Sequence, residues 1–137
     1  MINVNRKVFC ITGMHRSGTS LLANWMQEIG VLLDFGHLIP ATYWNKKGHY
    51  EDEDFVNFHQ NALLDRFPKS HGWRVTTPKF LDFTYQQKRV AKRFLRSHEN
   101  LSYWGWKDPR SIFFAKAWLN LSNHIHFIII KAAKSLR

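Results

Sequence analysis

The apolar run Val8–Thr12 has the length and continuity of a short buried strand, and it gives way at once to Gly13–Ser20, a stretch of glycine and hydroxyl residues that reads as a loop. Beyond the loop, Leu21, Leu22, Trp25, Met26 and Ile29 recur at helical spacing, and Gly30 is a natural stop. Residues Asp34–Tyr50 are rich in turn formers and aromatics and read mostly as loop. From Glu51 to about Phe67 the helical period returns with Phe55, Phe58, His59, Ala62 and Leu63. Pro68–Pro78 reads as irregular. Phe83–His98 predicts a helix with Val90, Ala91, Phe94 and Leu95 on one face and Lys88, Arg89, Lys92, Arg93 and Arg96 elsewhere. Tyr103–Trp106 predicts a short strand, Ser111–Leu121 a helix, and His124–Ile130 an isoleucine-rich strand expected to be buried on both faces. Strands alternating with helices predict an α/β fold, a parallel sheet flanked by helices.

Composition narrows the partners more than the fold. A chain of 137 residues is sized for one domain, and its 45% hydrophobic and 15% aromatic content excludes a disordered segment. Twenty Lys and Arg against ten acidic residues give a formal charge of +10, which suits an anionic partner: a phosphorylated cofactor, a nucleic acid, an acidic glycan or an anionic membrane. The lone cysteine, Cys10, lies in the first apolar run and reads as core rather than as a nucleophile. The amino terminus is too short in apolar residues for a secretory signal, and no run reaches the roughly 18 of a membrane span. A soluble, cytoplasmic protein is expected. The eight histidines show no ligand spacing with cysteine or carboxylate, so no metal is expected.

The loop carries the candidate chemistry. Gly13-Met-His-Arg-Ser-Gly18-Thr19-Ser20 matches the phosphate-loop pattern G-x-x-x-x-G-K-[ST] at both glycines and the final hydroxyl, with Thr19 where the lysine would stand. Glycines permit the tight turn, loop amides point inward, and the following helix adds its positive end. Arg16 can supply the missing cation. Such a cradle suits a phosphate or sulfate ester without dependence on a triphosphate and magnesium.

With these residues in view, Val8–Leu22 closely resembles the 5′-phosphosulfate loop of sulfotransferases, in the bacterial and tyrosylprotein-type branch with an Arg-Ser-Gly-Thr core. Trp104-Gly-Trp-Lys-Asp-Pro-Arg-Ser resembles that branch's Lys-Asp-Pro element, and Asn45-Lys-Lys-Gly-His-Tyr-Glu-Asp is similar to a segment of bacterial members. The resemblance implies a P-loop NTPase-like sheet and transfer of a sulfuryl group from 3′-phosphoadenosine 5′-phosphosulfate (PAPS) to a hydroxyl or amine. It implies that Gly13, His15, Arg16, Ser17, Gly18, Thr19 and Ser20 hold the donor, and that Arg16 and Lys107 stabilise the transferring group. Glu51 is the first candidate for the base, with His15, His49 and Asp54 as rivals. Asp108 is expected to cap a following turn or orient a cation, and Pro109 to shape the loop.

The sequence departs from the family after its last strand. The arginine and serine that grip the 3′-phosphate are not at their usual places; Lys131 and Lys134 are the available substitutes, and Ser135 comes too soon. Residues 1–137 are therefore expected to form a single, partial sulfotransferase domain, incomplete relative to the family fold. Three other readings stay open: a P-loop kinase or other nucleotide-binding protein, a basic nucleic-acid module, and a non-catalytic sulfotransferase-like fragment. No sequence-specific nucleic-acid contact is expected, and neither the acceptor nor the oligomeric state is legible.

Overall fold

The computed structural model describes residues 5–13, 18–40, 50–70, 72 and 79–131. Three strands, β1 (Lys7–Gly13), β2 (Tyr103–Lys107) and β3 (Ile125–Ile130), form a parallel sheet in the order β2-β1-β3. Among the described residues four α-helices accompany it: α1 (Thr19–Glu28), α2 (Glu53–Arg66), α3 (Tyr85–Ser97) and α4 (Ala115–Leu121). The α/β architecture expected from the alternating pattern is present. Register aligns Ile11 of β1 with Lys107 of β2 and Ile128 of β3.

Each face of the sheet has its own core, because side chains alternate across a strand. On one face Val8, Cys10, Trp104, Trp106 and Ile125 meet Phe55 and Leu63 of α2, Ala91 of α3 and Trp118 of α4. This side is aromatic, with the Phe55 ring stacked on Trp106 at 4.4 Å and 8°. On the other face Ile11 packs with Ala23 and Met26 of α1 and with Val31 and Leu33. Cys10 is fully buried, as a core residue should be.

Two boundaries and the burial of one strand differ from the sequence expectations. The segment Ser111–Leu121 is not one helix: a 3-10 helix covers Pro109–Phe114, and α4 begins only at Ala115. Asp108 caps the Arg110 amide and Ser111 accepts from the Trp106 indole at 2.9 Å, so the chain is drawn tightly against the end of β2. The second helix opens at Glu53, because Asp52 is extended and accepts from the amides of Asp54 and Phe55, leaving Glu51 outside the helix. Finally, β3 is not buried on both faces. It is an edge of the described sheet, and Ile129 is 60% exposed.

Candidate functional site

The carboxyl ends of β1 and β2 place the residues of interest together, in the crevice where open parallel sheets gather ligand chemistry. The chain leaves β1, crosses to β2 on one side, and later returns to β3 on the other. The strand order therefore reverses at β1, whose last residue is Gly13. Its φ of 148° and its closeness to the carbonyl of Ile130 leave no room for a side chain. Gly18 opens α1 in the left-handed region (φ 93°, ψ 11°), and no side chain caps the helix among the described residues. The first-turn amides of Thr19 and Ser20 thus carry the helix's positive end into the crevice.

Lys107 reaches the same place from β2. It aligns with Ile11, so its side chain lies on the α1 face of the sheet. Its Nζ donates to Ser20 Oγ at 3.1 Å and stands 3.7 Å from Glu51 Oε1. Lys107 is only 3% exposed, and Glu51 8%. Burial pulls the Lys107 ammonium below its ordinary range against the opposing charges of Glu51 and Asp108. Burial likewise raises the Glu51 carboxyl, helped by the charge of Asp108 and resisted by Lys107 and Arg110. Both shifts run toward the neutral forms, and burial is the largest cause of each.

Glu51 is held there by its neighbours. Ile39 donates its amide to the Glu51 carbonyl at 2.8 Å, Glu53 donates to His37 at 2.8 Å, and Leu38 bridges Asp52 antiparallel. Tyr50, at φ 54°, turns the chain and donates its phenol to Asn24 of α1 at 3.0 Å. This pins the segment bearing Glu51 onto the helix that begins the crevice.

Asp108, the next residue after Lys107, serves a different network. Its Oδ1 accepts from the amide and from Nη1 of Arg110, both at 3.1 Å, and its Oδ2 pairs with His59 Nδ1 at 2.9 Å. The Trp118 indole donates to His59 Nε2 at 2.9 Å. An indole N–H can only donate, so Nε2 is the acceptor and the ring proton sits on Nδ1, facing the carboxylate. His59 and Asp108 are fully buried. Arg110 Nε also donates to the Gly72 carbonyl at 3.0 Å, and Thr12 Oγ1 to the Pro109 carbonyl at 3.0 Å. Asp108 therefore both caps the turn and orients a cation.

Of the expected site residues, Gly13, Gly18, Thr19, Ser20, Lys107 and Glu51 converge at this crevice. His15, Arg16 and Ser17 lie outside the described residues, as do His49, Lys134 and Ser135. Asp54 is in the first turn of α2 and lines a groove with Phe58 and Val90, away from Lys107. Lys131 is exposed just past β3. Sequence reasoning missed His59, Arg110 and Trp118 as a unit. The only signal was a histidine at a core position of an otherwise apolar helical stripe. Among the described residues no group of three or more His, Cys, Asp or Glu side chains gathers as metal ligands, and no helix is long and apolar enough to cross a membrane. No protein-family model, no curated protein and no solved structure matches the chain.

Proposed function

We propose that the chain is a sulfotransferase of P-loop type, taking a sulfuryl group from PAPS to a hydroxyl or amine acceptor. The observation that carries this reading is the Lys107–Ser20 contact at 3.1 Å across the start of α1. In the loop pattern Thr19 replaces the usual lysine, and the cation comes instead from the end of β2. The sheet order β2-β1-β3, with β1 central and running into Gly13, suits a phosphate loop at that point. The donor supplies an activated sulfuryl group and an adenosine bisphosphate leaving group. Loop amides from Gly18 to Ser20, with Arg16, would bind its 5′ end, and Lys107 would neutralise charge there.

Glu51 is the base of this reading. A carboxylate raised by burial takes a proton from an acceptor hydroxyl more readily near neutral pH than an ordinary one. The acceptor oxygen bonds to sulfur as the bridging sulfur–oxygen bond breaks, and the hydroxyl proton passes to Glu51. A magnesium-dependent kinase would want a free carboxylate after the second strand. Asp108 is the residue in that position, and both its oxygens are already engaged by His59 and Arg110.

Thermal unfolding with adenosine 3′,5′-bisphosphate, ATP with magnesium, or AMP tests the proposal. The bisphosphate alone should stabilise the chain, by about 2.7 kcal/mol at a hundredfold excess over its dissociation constant. Arg16→Ala should abolish the effect. Stabilisation by ATP with magnesium instead would replace sulfuryl transfer with a kinase reading.

A further inference from the structure

Among the described residues, α3 carries a dense cluster of uncommitted positive charge. At 3.6 residues per turn, Lys88, Arg89, Lys92, Arg93 and Arg96 fall within an arc of roughly 140°. All five are exposed, while Val90, Ala91, Phe94 and Leu95 turn to the core. The helix contains no acidic residue. Among the described residues, no side chain of Arg89, Lys92, Arg93 or Arg96 takes part in a hydrogen bond or an ion pair. Those four line a concavity of about 180 Å³.

A second concavity, of about 280 Å³, shares Lys92 and Arg96 and differs in chemistry. It adds Arg6, Glu99 and Ser122, whose hydroxyl accepts from the His124 amide at 3.1 Å, beside apolar wall from Val8, Leu95 and Leu121. Arg6 Nη1 donates to the Glu99 carbonyl at 2.7 Å, and its buried Nε–H has no acceptor among the described residues.

We infer that these two adjoining concavities form a docking surface for a sulfated polysaccharide. Arginine forks grip compact oxyanion groups through paired hydrogen bonds, which the all-cationic first concavity supplies. In the second, the mixed lining of Glu99, Ser122 and apolar wall suits the hydroxyl-bearing edge and the face of a sugar ring. A duplex nucleic acid presents about one negative charge per 1.7 Å of axis and would set phosphates against Glu99. A sulfated sugar chain alternates charge with neutral hydroxyls and satisfies both concavities.

The surface is at the opposite end of the sheet from Lys107. Arg6 immediately precedes β1, and the seven-residue strand that ends in Gly13 spans roughly 20 Å. It therefore holds a polymer without occupying the crevice, and the inference stands whether or not the chain transfers sulfuryl groups.

Calorimetric titration of the full chain with heparin at about 0.15 M salt tests it. The double variant Arg89→Glu, Arg93→Glu alters only exposed positions and should weaken heparin binding about a hundredfold while the circular dichroism stays unchanged. Desulfated heparin that keeps its carboxylates should bind about tenfold more weakly than heparin itself. Glu99→Ala should weaken heparin severalfold, because sugar hydroxyls lose an acceptor. Heparin affinity untouched by the double variant would overturn the assignment. So would tighter binding of a short duplex DNA than of heparin, strengthened further by Glu99→Ala, which would mark a nucleic-acid surface instead.

Discussion

Lys107 and Asp108 are consecutive, nearly or fully buried charges at the end of β2, yet they turn to opposite faces of the sheet and meet opposite surroundings. On the aromatic side, Asp108 receives three donors at 2.9 to 3.1 Å from His59 and Arg110. On the α1 side, Lys107 Nζ stands 3.1 Å from Ser20 Oγ and 3.7 Å from Glu51 Oε1, beside the first turn of α1. A buried charge whose hydrogen bonds are filled at short range is fixed in place and holds the backbone. Lys107 and Glu51 are instead displaced toward their neutral forms by burial, beside the first-turn amides of α1. One residue anchors the other.

The largest effect should come from removing the anchor. Asp108→Ala leaves His59 Nδ1–H and Arg110 without their carboxylate in a fully buried site, and should cost about 3–5 kcal/mol of folding stability in urea titration. A loss below about 1 kcal/mol would place Asp108 with the loosely held groups rather than with the fixed ones. Trp118→Phe removes the donor to His59 Nε2 and some ring volume; about 1–3 kcal/mol should go, with the fold kept.

The smallest effect separates the two regions by pH. Glu51 holds its proton to higher pH in the folded chain than in the unfolded one. The native state then binds more protons, so stability falls as pH rises from the ordinary value of 4.5 through the raised one. Lys107 acts in the other sense: stability present above its ordinary 10.5 is lost as pH falls through its lowered value. Glu51→Gln should flatten the acid-side slope in denaturation curves taken at successive pH values. An unchanged slope would show that Glu51 is not the buried acid described.

The fold was legible where hydrophobic period alone decides it. The first strand, α1, α3 and β2 lie within a residue or two of their expected limits, and the loop glycines stand where the turn needs them. Lys107 was reached through a resemblance, and its place opposite Ser20 follows from the β1–β2 register, which no local pattern encodes. Exposure of β3 depends on how many strands lie beyond it, so its isoleucines alone could not reveal an edge. The helical period was expected from Glu51, but the helix opens at Glu53 because Asp52, a strong N-cap residue, accepts from the amides of Asp54 and Phe55. The Trp118–His59–Asp108 chain joins three positions separated by 59 and 49 residues, and only packing brings them together.

The most direct test of the account measures adenosine 3′,5′-bisphosphate affinity by calorimetry for the parent chain, Lys107→Ala and Asp108→Asn, each first shown to be folded. Lys107→Ala should weaken binding by about 2 kcal/mol or more, upwards of roughly thirtyfold, while Asp108→Asn lowers stability but leaves affinity within about threefold. Equal affinity in the parent chain and Lys107→Ala, or no binding by the folded parent chain, would contradict the assignment of this crevice as the anion site.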